Sequence, residues 1–343
     1  MGRYIVRRLT VALPTLVAVT LVVTGIMSLL PGEVLLARLL SCSSEPASSP
    51  AARTVALGAV GGTPRTGPGC YVTEEDIREL RAELGIDKSF PQRYAEWVGG
   101  ALRGDLGTSV WSGRDVTATI ATRLRVSGPL ALTAMTIAVL TAVPIGVWSA
   151  VRHGRWQDYI ARVTSMGGLA VPDFFLAMLV LYGLSVTIGW QPGLGREGRW
   201  ETPAESLAAI ALAALIVGWR IGAISARMTR SAVLDVLHQD YVRTARAKGL
   251  AEQSVVVRHA LRIALLPLLT IVGMQLPALL AGLVILEVVF GLPGLGTLGF
   301  EAVQLRDYPV AQGVVFCSAL CVIGTNLVVD IASAALDPRI RYQ

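Results

Sequence analysis

The chain has 343 residues, 53% of them hydrophobic and 16% charged, with a formal net charge of +6. An ordinary soluble domain carries about 25% charged residues, so this composition excludes a protein surrounded by water. Six charge-poor windows reach the ~20 residues that a membrane-crossing helix needs, which predicts an all-α membrane protein with six transmembrane helices.

The first window, residues 9–30, follows Arg3, Arg7 and Arg8. Its apolar run is longer than the 7–15-residue core of a cleavable leader, and no clear small-x-small cleavage site follows, so an uncleaved first span is expected. Residues 32–125 form a non-membrane segment. Within it, residues 41–69 are rich in Ser, Ala, Gly and Pro and show no helical or strand period, which predicts a loop. Thr73-Glu74-Glu75-Asp76 then has the form of a helix start, a Thr cap with carboxylates in the first turn. Ile77, Leu80 and Leu84 follow at helical spacing, and Gly85 ends the run. A second short helix is predicted over residues 91–102, with Tyr94, Trp97 and Val98 on one face. Residues 104–108 make a turn, and residues 116–124 lead into the second span, residues 126–151.

The remaining spans are predicted at residues 163–189, 206–226, 263–286 and 308–329. The third carries Pro172 and the fifth Pro267 and Pro277. Proline inside a membrane helix permits a kink, which suits either a path that opens and closes or static packing. Arg220 lies inside the fourth window, seven residues before Arg227, or ~10 Å at 1.5 Å per residue. It is expected to snorkel to the cytoplasmic surface, a reading preferred to a substrate contact.

Sidedness follows from Arg and Lys in the short connections. One set of ends carries fifteen such residues, seven of them between Arg227 and Arg262, while the short loops of the other side carry Arg196, Arg199 and Arg306. Both termini and the hairpin around residues 227–262 are therefore expected in the cytoplasm. This bias accounts for most of the net positive charge, and no nucleic-acid partner is implied. The hairpin's first arm, residues 231–248, has Leu234, Leu237, Tyr241 and Ala245 at helical spacing. Gly249 can take the positive φ of a tight reversal, and residues 251–261 return to the bilayer. Three regions result: residues 1–31, the cytoplasmic N-terminus and first span; residues 32–125, the external loop and short helices; and residues 126–343, a five-helix core carrying the hairpin.

The hairpin motif, Asp240-Tyr241-Val242-Arg243-Thr244-Ala245-Arg246-Ala247-Lys248-Gly249, resembles the "EAA loop" of ABC importer permeases, in the form used by the dipeptide/oligopeptide and nickel branch. The resemblance extends along most of the chain. It includes Pro14-Thr15, Leu29-Leu30-Pro31-Gly32, Leu84-Gly85-Ile86-Asp87-Lys88, Gly104-Asp105-Leu106-Gly107, and Pro172 with Phe174. Later matches are Glu287, Pro293-Gly294-Leu295-Gly296, Asp307-Tyr308-Pro309, Asp330, and Leu336 to Tyr342. The chain departs from the family in the length of residues 41–69, and in Arg220, where the family is generally uncharged.

The resemblance implies a B-type permease subunit in a bacterial plasma (inner) membrane. It further implies a homologous second permease, two ATP-binding subunits and an external substrate-binding protein as partners. Asp240, Tyr241, Arg243, Thr244, Ala245, Lys248 and Gly249 would couple the chain to the ATPases. This chain would bind no cofactor, ATP and Mg being used by the partner ATPases, and would be no enzyme. Di- or oligopeptides are the expected cargo, with nickel, glutathione or sugars as alternatives. The residues lining the substrate path are left open. A polytopic membrane enzyme is the reading from a different class.

Other patterns carry less. Gly294-Leu-Gly-Thr-Leu-Gly299 has the spacing of a dinucleotide fingerprint but lacks the surrounding βαβ unit, so a backbone turn is expected. The Arg103-Gly104-Asp105 tripeptide also has the setting of a turn. No Gly-x-x-x-x-Gly-Lys-Ser/Thr occurs, and His153, His238 and His259 have no acidic or cysteine cluster beside them, so no metal site is expected. Glu287 and Asp330, close to span ends, are expected to form structural pairs. Cys317 and Cys321, one helical turn apart, read as small packing residues. Cys42 and Cys70 fall on the predicted outer side, where a disulfide can persist, and bracket residues 41–69. A bond between them and two free thiols are both open.

Overall fold

The computed structural model describes residues 2–29, 88–190 and 203–336. Cys42, Cys70, the helix expected after Thr73 and the carboxyl-terminal Asp337-Pro338-Arg339 lie outside the described residues. Those described are helical, with no strand among them and one isolated bridge between Thr108 and Asp115. In chain order the helices are α1 (Gly2–Leu29), α2 (Phe90–Ala101), α3 (Val116–Val151), α4 (Trp156–Ala170), α5 (Asp173–Ile188) and α6 (Pro203–Leu237). They continue with α7 (Asp240–Ala247), the single turn α8 (Glu252–Ser254), a π-helical stretch Val255–Ala260, α9 (Leu261–Phe290), α10 (Leu295–Gln304) and α11 (Tyr308–Leu336).

Among the described residues, four helices are long and apolar enough to cross a membrane: α3, α6, α9 and α11. The pair α4 and α5 would make a fifth crossing if counted as one broken span. The expected first span falls in α1, whose apolar stretch, Ala12–Ile26, is shorter than the others. The third span departs from expectation. Pro172 permits a kink within one span; instead α4 and α5 meet at 95°. Val171 and Pro172 are both extended, with ψ of 123° and 139°. Proline lacks the N–H for helix continuity and pushes the residue before it out of the helical region, which turns a bend into a break.

The chain forms two compact units. The first comprises Met1–Thr15, Thr122–Leu298 and Cys317–Gln343. Its core sets six alanines, Ala134 and Ala138 of α3, Ala177 of α5, and Ala209, Ala213 and Ala214 of α6, among larger side chains such as Ile221 of α6 and Leu279, Leu286 and Phe290 of α9. In lipid, helices gain from close backbone approach more than from bulk, and small residues permit it. At Gly146 of α3 a Cβ would stand 2.6 Å from the Thr229 Cβ of α6, so nothing larger than hydrogen fits there.

The second unit comprises Leu16–Ala121 and Gly299–Phe316. The face predicted for α2 makes its contacts. Tyr94 Oη lies 2.9 Å from Thr20 Oγ1, and Trp97 meets Phe316 edge-on with ring centroids 5.5 Å apart. Asp307 holds the turn after α2: Ser109 Oγ donates to its Oδ2 at 2.5 Å, and the Val110 N–H donates to its Oδ1 at 3.2 Å.

The stretch beginning at Gly294, expected as a plain turn, opens α10. Glu287, fully buried, organises that start. Its carboxylate accepts from Ser127 Oγ at 2.5 Å and from the Thr297 N–H at 2.9 Å, while Ser127 Oγ accepts from the Leu295 N–H at 2.7 Å. The free N–H groups of a helix start need such acceptors, and Glu287 thereby has the structural pairing expected of it.

Candidate functional site: the hairpin between α6 and α9

The hairpin differs in detail from its sequence reading. Its first arm was expected as one helix over residues 231–248. Instead α6 runs from Pro203 through the fourth span to Leu237, the chain breaks at His238 and Gln239, and α7 occupies Asp240–Ala247. Gln239 is extended, with ψ 149°, and its carbonyl accepts from the Arg243 N–H at 3.2 Å to start α7. No glycine or proline marks the break, and the helical period runs unbroken through it, so periodicity alone missed it.

Gly249 turns the chain as predicted, with φ +77°. Its N–H donates to the Arg246 carbonyl at 2.9 Å, and the Leu250 N–H to the Ala245 carbonyl at 3.4 Å. The return arm is one α-helical turn followed by six π-helical residues, Val255–Ala260, that run into α9. A π-helical stretch is a wider coil found often at functional positions.

The hairpin has its own core. Val242 and Ala245 of α7 pack with Val233, Val236 and Leu237 of α6, Ala150 of α3, and Val255, Val256 and Ala260 of the return arm. Of the predicted coupling residues, Ala245 is therefore an anchor inside this core. Asp240, Tyr241, Arg243, Thr244, Lys248 and Gly249 are exposed. Partial burial pushes the Tyr241 hydroxyl pKa above its ordinary value.

Two ion pairs that sequence reading missed hold this assembly. Across the Gly249 turn, Arg246 makes two hydrogen bonds to Glu252. Those bonds hold the Glu252 carboxyl below its usual pKa and raise that of Arg246. At the foot of α6, Arg230 Nε and Nη2 donate to Asp158 Oδ1 and Oδ2 at 2.7 and 2.9 Å. Asp158 is 1% exposed, and it also accepts from Ser149 Oγ at 2.6 Å and the Gly154 N–H at 3.1 Å. One carboxylate so ties α3, the following loop, α4 and α6 together. The available signal was Asp158 as the one acidic residue of α4, which must find a partner once buried.

Arg220 corrects another expectation. It does not extend along α6 to the surface; its Nε donates to Asp173 Oδ2 at 2.7 Å. An opposite charge within reach satisfies the guanidinium better than a long climb through lipid.

Several membrane-length helices joined by a braced polar hairpin define a polytopic helical membrane protein. Residues 142–342 match the family described as binding-protein-dependent transport system inner membrane component. Over 343 residues, covering the whole of both chains, this chain is 38% identical to a protein of Pectobacterium atrosepticum named "Glutathione transport system permease protein GsiC". It is 35% identical over the same span to the protein of that name from Escherichia coli K12. The chain belongs to the ABC importer permeases of the dipeptide/oligopeptide family. It is a multi-pass component of a bacterial inner membrane and a transport subunit, not a catalyst.

Proposed function

We propose that this chain forms half of the path through which an ATP-driven importer takes up small peptides, and that the hairpin is its coupling to the ATPases. The observation that carries this reading is the full-length similarity to permeases of named peptide-type cargo, joined to a hairpin with an exposed polar face and a packed base. Glutathione is itself a tripeptide, so the relatives' names narrow the cargo rather than oppose a peptide. A second, homologous permease would close the path. Two ATP-binding subunits would grip the hairpins from the cytoplasm, the side favoured by the Arg and Lys bias, and an external binding protein would deliver cargo. ATP binding and hydrolysis on those subunits would move the hairpins and switch the path between its two openings. The regions set out from sequence fit this division: residues 1–31 anchor, residues 32–125 face the outside, and residues 126–343 form the path and its coupling.

The test is isolation of the tagged chain from its membrane in mild detergent, followed by identification of what the cognate binding protein carries. ATP-binding subunits and a second permease should co-purify, and the binding protein should hold glutathione or a short peptide. A chain that purifies without ATPases, or a binding protein loaded with nickel or sugar, would contradict the respective half of the proposal.

A further inference from the structure

Asp173 is the first residue of α5, immediately after the Pro172 break, and Arg220 lies inside the apolar stretch of α6. Charged residues in membrane segments are costly and commonly mark a substrate pathway. Discontinuous membrane helices commonly build transporter substrate sites. Here both features fall on one pair of side chains.

The bonding of the pair sets it apart from Arg230 and Asp158. That second pair is closed, with two bonds from the guanidinium, two further donors on the carboxylate, and Asp158 buried. Arg220 makes one hydrogen bond among the described residues, from Nε to Asp173 Oδ2. Its Nη1 and Nη2 N–H groups and Asp173 Oδ1 are unengaged there, and the two side chains are 22% and 17% exposed. Gly282 of α9 borders the pair: a Cβ there would stand 3.6 Å from Arg220 Nη2 and 3.8 Å from Asp173 Oδ2, in ordinary contact with both. A bare structural ion pair in lipid gains from every further bond it can make, and this one leaves a donor fork and an acceptor side by side.

We propose that Arg220 and Asp173 together bind the α-amino-acid head of a peptide-like substrate, Arg220 Nη groups taking its carboxylate and Asp173 Oδ1 its ammonium. Such a head carries both charges on one carbon, which matches a donor and an acceptor held on adjacent side chains. The γ-glutamyl end of glutathione has this head; the same tripeptide joined through the α-carboxyl does not. The inference rests on the peptide-uptake reading above. It also gives a use to the charge at residue 220, where the family resemblance leads one to expect none.

The experiment compares uptake of glutathione and of its α-glutamyl isomer by the full importer in proteoliposomes with saturating binding protein. Wild type, R220Q, D173N and G282V are assayed, each at equal complex yield. Charge-assisted hydrogen bonds are strong enough that losing one should lower the γ-to-α uptake ratio about ten-fold in R220Q and D173N. G282V, which changes no charge, should lower it too by placing a branched side chain against the pair. A merely structural pair would reduce both isomers equally and leave the ratio unchanged, and that result overturns the proposal while peptide uptake stands. Lack of any preference in the wild type also overturns it. Uptake of neither tripeptide by the wild type would instead contradict the peptide-uptake reading itself.

Discussion

Arg246 and Glu252 close the hairpin from opposite sides of Gly249, Nε to Oε2 at 3.0 Å and Nη2 to Oε1 at 2.6 Å. Their side chains are 41% and 52% exposed, so solvent screening limits the pair to ~0.2–1 kcal/mol. Because Arg246 depresses the Glu252 pKa, this contribution is complete above the ordinary carboxylate range and is lost as pH falls through the depressed value. Hydrogen exchange of the hairpin amides should be up to about five-fold faster in Glu252→Gln than in wild type at pH 7. The two should converge in acid. Equal rates at pH 7 would show that the pair contributes nothing.

A larger effect is expected at Asp158. Asp158→Asn leaves the Arg230 guanidinium without a charged partner in a buried setting, and breaking such a pair costs about 3–5 kcal/mol. Thermal unfolding in detergent should drop strongly, and Arg162, 3.8 Å from the same carboxylate, cannot compensate because it is a second cation. A variant as stable as wild type would place the junction of α3, α4 and α6 on other contacts.

Gly294 offers a test of close packing. A Cβ there would collide with the Glu287 carboxylate, which cannot yield without giving up its bonds from Ser127 and Thr297. Gly294→Ala should destabilise by ~1–3 kcal/mol, the usual range for overpacking, read as a lower unfolding temperature. Glu287→Ala in the same background should relieve the clash, so the two changes should be less than additive.

Much of this architecture was legible because it rests on local chemistry. Apolar length marked the crossing helices, and Gly249 marked the turn since a positive φ strains any other residue. Pairings across sequence were not legible. Arg220 looked like a lone charge near a span end, and its partner Asp173 is 47 positions away. Pro172 announced a bend, but whether it kinks or breaks a span depends on Val171 also leaving the helix. The break at His238 and Gln239 left no mark, since both neighbouring helices share one apolar period.

The claim that the hairpin transmits ATPase motion is tested most directly at Gly249. A Cβ there would meet no atom within 4 Å, so Gly249→Val acts through backbone strain alone, about 1–2 kcal/mol for a β-carbon in a left-handed conformation. The measurement is peptide uptake together with substrate-stimulated ATP hydrolysis by the assembled importer, at matched membrane abundance. Both should fall in the variant while insertion stays normal. Full uptake and full stimulation by a normally abundant Gly249→Val protein would contradict the hairpin's coupling role.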